Sequence, residues 1–178
     1  MRKRLLGMIL ASFLFLSCSL SPEQEAVSRA FTLPDLSLSN ATYVLDRGQE
    51  PPLTVVADEI AIYETSHMAR IKGLHFSQKD TDGNLALRGQ AETAVVDTES
   101  YDVELSGSVF VEKFPENLRI EAEALQWLGE EETLISEEDT LVTLVYEGDK
   151  RVQGTGMKTT LATFTVTFDT VLKGVIYQ

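Results

Sequence analysis

Four stretches of the sequence line up at a nearly constant spacing. They begin Leu53-Thr54-Val55-Val56-Ala57-Asp58, Leu85-Ala86-Leu87-Arg88-Gly89-Gln90, Leu118-Arg119-Ile120-Glu121-Ala122-Glu123 and Val152-Gln153-Gly154-Thr155-Gly156-Met157. Their small residues at 57, 89, 122 and 156 lie 32, 33 and 34 positions apart. About seventeen residues after three of them comes a second pattern: Ile71-Lys72-Gly73-Leu74-His75-Phe76, Leu105-Ser106-Gly107-Ser108-Val109-Phe110 and Leu172-Lys173-Gly174-Val175-Ile176-Tyr177. The third unit departs, carrying Glu137-Glu138-Asp139 where a glycine is expected. Each unit reads as strand, turn, strand. Two strands cannot bury an apolar face alone, so the units must stack, which gives two facing sheets with a continuous interior.

The texture between the repeats agrees. No segment from Asp35 onward keeps a 3.6-residue apolar stripe. Alternating runs of Val, Ile, Thr, Leu and Phe are broken at Asp46-Arg47-Gly48, at Asp80-Thr81-Asp82-Gly83-Asn84, at Pro115-Glu116-Asn117 and at Gly148-Asp149-Lys150. Gly, Asn and Asp tolerate positive φ and so mark tight turns between strands. The expectation is an all-β domain of about eight to ten strands. Parity adds a detail. Leu53, Val55 and Ala57 share a face, but the next apolar positions are Ile60 and Ile62; Leu118, Ile120 and Ala122 are followed by Leu125 and Trp127. Both strands slip by one position just after the small residue, as a β-bulge or bend requires.

Charge excludes one class of partner. Fifteen Lys and Arg stand against 28 Asp and Glu, a net −13, so no basic surface is available to displace counterions from a nucleic acid. One Cys and two His exclude an internal disulfide and a Cys/His zinc site. No nucleophile elbow is present, and no carboxylate pair stands out, so no enzyme and no cofactor is expected. His67 reads as a solvated turn residue. His75 shares parity with Ile71 and Gly73 and is expected to point inward as a strand histidine. The acidic runs Glu130-Glu131-Glu132 and Glu137-Glu138-Asp139 and the Asp80–Asn84 segment lack the spacing of a calcium loop and read as turns.

The N-terminus has a separate logic. Met1-Arg2-Lys3-Arg4 is basic, Leu5 to Leu16 is almost wholly apolar, and Ser17-Cys18 follows. That is the layout of a secretory signal. The apolar run would rise about 18 Å as a helix, short of the ~30 Å hydrocarbon core. Cys18, the only cysteine, resembles the acylated residue of a bacterial lipobox, although Phe15 stands where Leu is usual. The expected division is a signal peptide at 1–17, a lipidated N-terminus and linker at 18–34, and the β-domain at 35–178. Loss of residues 1–17 removes three basic residues and leaves 12 against 28 acidic ones, a net −16. Such a domain has no face for anionic headgroups, so membrane attachment would come from the lipid.

The residues expected to face inward by parity are Val55, Ile60, Ile62 and Leu87 from the first strands. Leu105, Val109, Val111, Leu118, Ile120, Leu125, Trp127 and Leu161 continue them. They form either a closed core or the lining of a groove for acyl chains, and parity alone leaves both open.

The order and spacing of these motifs resemble the periplasmic lipopolysaccharide-export family with the OstA-like β-jellyroll, and most closely its LptC branch. The residues that carry the resemblance are Val152–Met157 with Val171–Ile176, Leu105–Val111, and Val55–Glu59. It extends over about residues 35–178. What it implies is a twisted antiparallel β-jellyroll acting as a passive slide. Acyl chains of lipopolysaccharide or a related glycolipid would ride between the sheets, received from the subunits of an inner-membrane ABC transporter. The partner-binding edge would be the last strand, with Val171, Leu172, Gly174, Val175 and Ile176, which would pass cargo to the next jellyroll of a periplasmic bridge. The first edge, near Ala41–Leu45, would face the transporter. Attachment would be through Cys18, to the inner membrane rather than the outer. Better-known members carry a transmembrane helix where this chain has the lipobox-like signal. The competing expectation is a structural envelope lipoprotein with a closed β-core and no cargo.

Overall fold

A computed structural model describes residues 33–48, 50–114, 116–148, 150–160 and 165–175. Ten strands follow one another: β1 (Leu36–Arg47), β2 (Glu50–Tyr63), β3 (Met68–Lys79), β4 (Leu85–Asp97), β5 (Val103–Lys113), β6 (Leu118–Leu128), β7 (Thr133–Ile135), β8 (Val142–Tyr146), β9 (Lys150–Thr160) and β10 (Val166–Val175). All pairings are antiparallel and join the strands into one sheet in chain order, from β1 at one edge to β10 at the other. The short strands β7 and β8 share a single place between β6 and β9. These strands belong to the compact unit Pro34–Gln178.

The turns named from the sequence lie where the chain reverses. At one of them Asp80 Oδ1 accepts the backbone N–H of Asp82 at 2.9 Å and of Asn84 at 2.8 Å, and Gly83 takes φ +86. At the opposite end the β2–β3 and β4–β5 reversals carry no glycine. There a single 3-10 turn spans Glu64–Ser66, and His67 and Tyr101 adopt positive φ. Asp97 Oδ1 holds the second of these turns by accepting the N–H groups of Glu99 at 2.8 Å and Ser100 at 3.0 Å.

The parity slip recurs along the sheet. Ala69 and Ile71 give way to Leu74 and Phe76 in β3; Leu87, Gly89 and Ala91 give way to Ala94 in β4; Gly154 gives way to Met157 and Thr159 in β9. Neighbouring strands slip at the same level, so the sheet bends along a line that crosses it. Among the described residues only the β5 ladder gains a residue against both neighbours, at Gly107 (φ +77) and Ser108 (φ +47). The two facing layers are therefore the two halves of one sheet. Residues from either side of the bend meet in a single apolar cluster.

The third unit shows why its glycine is missing. β7 pairs with β6 over Gln126–Leu128, β8 pairs with β6 over Leu118–Ala122, and the chain leaves the ladder between them at 136–141. Ser136 anchors this excursion. Its N–H donates to the Met157 carbonyl at 2.9 Å, and its Oγ accepts the Met157 N–H at 2.9 Å. An excursion relieves the bend that a left-handed glycine permits elsewhere. The fourth unit differs in phase. Gly156 (φ +62) is a bend residue like Gly73 (φ +61), although its sequence alignment sets it against Ala57, Gly89 and Ala122.

Candidate functional site: the inward face of the folded sheet

Beside the bend-line row of Val109, Ala122, Val142 and Gly154, three cross-strand rows of side chains line the interior. One runs Val55, Phe76, Gly89, Val111, Ile120, Leu144, Val152. Beyond the bend a second runs Ile60, Ile71, Ala94, Leu105, Leu125. A third runs Ile62, Ala69, Val96, Val103, Trp127, Leu134, Thr159, Val166. Gly89 leaves room for its neighbour: a Cβ there would collide with the Phe76 ring. The strands supply this lining because every second side chain points one way, and the shared slip re-aims the row after the bend.

Burial is graded along the sheet. At the centre Ile120 and Val142 are 0% exposed, Met157 1% and Val109 2%. Leu87, Leu105, Val111 and Leu125 join them in the buried cluster, and Val55, Leu118 and Trp127 pack against it. Ile60 and Ile62 are half-buried and stand outside the cluster. At the β1 edge the inward residues open to solvent, with Leu38 39% and Tyr43 58% exposed. At the other edge Val171 and Leu172 are exposed, as is Gly174. The interior is closed in the middle and open toward β1.

Leu161, Ile176 and Cys18 lie outside the described residues, as does the side chain of Val175. One inward expectation is corrected. His75 is exposed, because the bend at Gly73 reverses the parity that linked it to Ile71. Sequence parity also missed Leu74, Ala91, Ala94, Leu134, Val142, Leu144 and Met157, all of them in the buried cluster. Carrying the slip into β3, β4 and β9 finds Leu74, Ala94 and Met157.

The outer face is polar and internally paired. Arg119 lies 4.2 Å from the Phe110 ring and bonds Glu121 Oε1 through Nε at 2.7 Å; Arg88 lies 5.1 Å from the Phe114 ring and meets Glu112 at 2.7 Å. The acidic runs 130–132 and 137–139 are exposed. Backbone N–H donation from Asn84 holds the Asp80 carboxyl below its ordinary range, and donation from Ser100 and Glu99 does the same for Asp97. Among the described residues no group of three His, Cys, Asp or Glu is placed to hold a metal.

The family model for lipopolysaccharide-assembly, LptC-related proteins matches residues 5–177. The chain belongs to that family. An LptC-related chain of this shape is also similar to a solved structure, LptH from Pseudomonas aeruginosa, described as the LptA-homologous periplasmic component of the conserved lipopolysaccharide transport device. The TM-score is 0.56 at 14% identity, over 72% of this chain and 96% of that one. That likeness shows the β-jellyroll fold. No curated protein matches the sequence. Among the described residues of this LptC-related chain, no helix is long and apolar enough to cross a membrane. Among the described residues its two sheet edges, β1 and β10, each pair with one strand.

Proposed function

We propose that the chain is a lipid-anchored periplasmic component of lipopolysaccharide export. It takes acyl chains between the two halves of its sheet from an inner-membrane ABC transporter and passes them to the next jellyroll of a trans-envelope bridge. The observation that carries this reading is the graded interior, whose apolar rows are solvent-open at β1 and close at the centre into one buried cluster. Each methylene taken out of water gains about 0.8 kcal/mol. Parting the layers exposes apolar side chains at a comparable cost per area, and the chain then covers them again. The exchange is close to balanced, as a passive conduit needs, and the driving energy stays with the transporter. Sugars remain in water along the open side.

The edges suit relay by strand addition, because exposed strands offer main-chain groups to a neighbour. β1 would meet the transporter and β10 the bridge. Cys18 would hold the domain at the inner membrane through its acyl chains.

Depletion followed by envelope fractionation tests the reading. Glycolipid accumulating at the inner membrane supports it, and an unchanged distribution overturns it. One observation favours the second reading, a structural envelope lipoprotein: the centre of the interior is fully packed.

A further inference from the structure

The third inward row is apolar except at one position. Thr159 on β9 lies between Leu134 on β7 and Val166 on β10, with Trp127 one strand beyond Leu134. It is 1% exposed and shares the inward face of Met157. Its Oγ1 is the buried side-chain polar atom that has no hydrogen-bond partner among the described residues. The other buried threonine differs, since Thr133 Oγ1 donates to the Glu131 carbonyl at 3.0 Å. Valine has the shape of threonine and would complete the row without a buried unpaired hydroxyl, whose desolvation is unfavourable to folding. An unmatched donor in a hydrocarbon-like interior is satisfied when a ligand brings an acceptor there. A saturated chain brings none. The polar atom that travels with an acyl chain is the carbonyl of its ester or amide linkage.

We infer that Thr159 is a specificity-determining contact of the interior, its hydroxyl donating to the linkage carbonyl of an acyl chain held between the layers. The inference rests on the conduit reading and adds to it a fixed depth, because the chain head is held beside β9 and β10 while the chain runs back toward Trp127 and Leu125.

The test uses the full chain in detergent solution with two competitors against a fluorescent fatty-acyl probe: an ester-linked diacyl phospholipid and its ether-linked analogue, which lacks the carbonyl. The wild-type chain should favour the ester about fivefold, the effect of one ordinary hydrogen bond. Thr159→Val should bring both lipids to the ether level while raising the thermal midpoint by about 2–4 °C. Thr159→Ser, which keeps a hydroxyl, should keep the preference. Equal competition by the two lipids in the wild-type chain, or a preference that survives Thr159→Val, overturns the inference and leaves the conduit standing. Binding of neither lipid overturns both.

Discussion

Gly107 on β5 lies against Glu92 on β4 so closely that a Cβ built on Gly107 would come 2.6 Å from Glu92 Oε2. The same relationship recurs along the bend. A Cβ on Gly73 would collide with the Asp58 carboxylate, and one on Gly156 with that of Asp169. A left-handed glycine on one strand thus faces an acidic side chain on the next. Gly107→Ala adds a side chain at φ +77 and forces Glu92 aside, whereas Gly48→Ala meets the φ strain alone, with nothing within 4 Å. Left-handed strain costs about 1–2 kcal/mol per residue. Urea unfolding should show Gly48→Ala destabilised by that amount and Gly107→Ala by clearly more.

Burial makes a second prediction. Ile120 is 0% exposed at the centre of the cluster. Ile120→Ala should cost about 2–5 kcal/mol, as other large-to-small core changes do. Ile62→Ala, at a half-buried position outside the cluster, should cost less than half as much. Equal losses in denaturant melts would contradict the graded interior.

The Asp80 turn predicts a pH dependence. Its carboxylate accepts backbone N–H groups when folded, so its pKa lies below the ordinary value of about 3.9. A depressed folded pKa contributes stability above the unfolded value, and that contribution fades as pH falls through the folded one. Asp80→Asn keeps an acceptor without the charge. The wild-type chain should be the more stable of the two at pH 6, and the gap should close below about pH 4. Thermal melts across that range check the sign.

At the β10 edge the register against β9 shifts between Val171 and Lys173, leaving Leu172 without a partner position. If the chain relays cargo through β10 and is anchored at Cys18 as proposed, deleting residues 171–178 should abolish pairing with the next jellyroll and leave membrane attachment intact. Leu172→Pro is the milder test, since it removes one backbone N–H at the position that has no β9 partner. Site-specific crosslinking between the jellyrolls reads both, and undiminished pairing would contradict the edge assignment.

Much of the fold was legible because alternation and repeat length are local properties. Ala57 with Ile60, and Ala122 with Leu125, already mark the bend line. The missed features depend on neighbours. His75 faces outward because the slip at Gly73 falls between it and Ile71. The turn at Tyr101 lacks glycine and is held instead by the Asp97 carboxylate. Gly156 has the spacing of one motif and the conformation of the other, which shows only in its backbone angle. The excursion at 136–141 was visible as a departure, but its anchor, Ser136 on Met157, joins residues 21 apart. Thr159 gave no signal, being one threonine of a Thr-rich strand whose hydroxyl is orphaned by what surrounds it. Of the interior, the lining was legible and the degree of opening was not, because exposure depends on how far the two halves of the sheet close.

The central claim is that acyl chains occupy the space between those halves. Photocrosslinking amino acids at Ile62, Val109 and Trp127, activated in cells, test it most directly. The account predicts capture of a glycolipid at all three, strongest at Ile62, where the interior is open at rest, and at Val109 only while the transporter is supplied with ATP. Absence of a glycolipid adduct at all three, in chains that still fold and reach the membrane, would contradict it and leave a closed β-core.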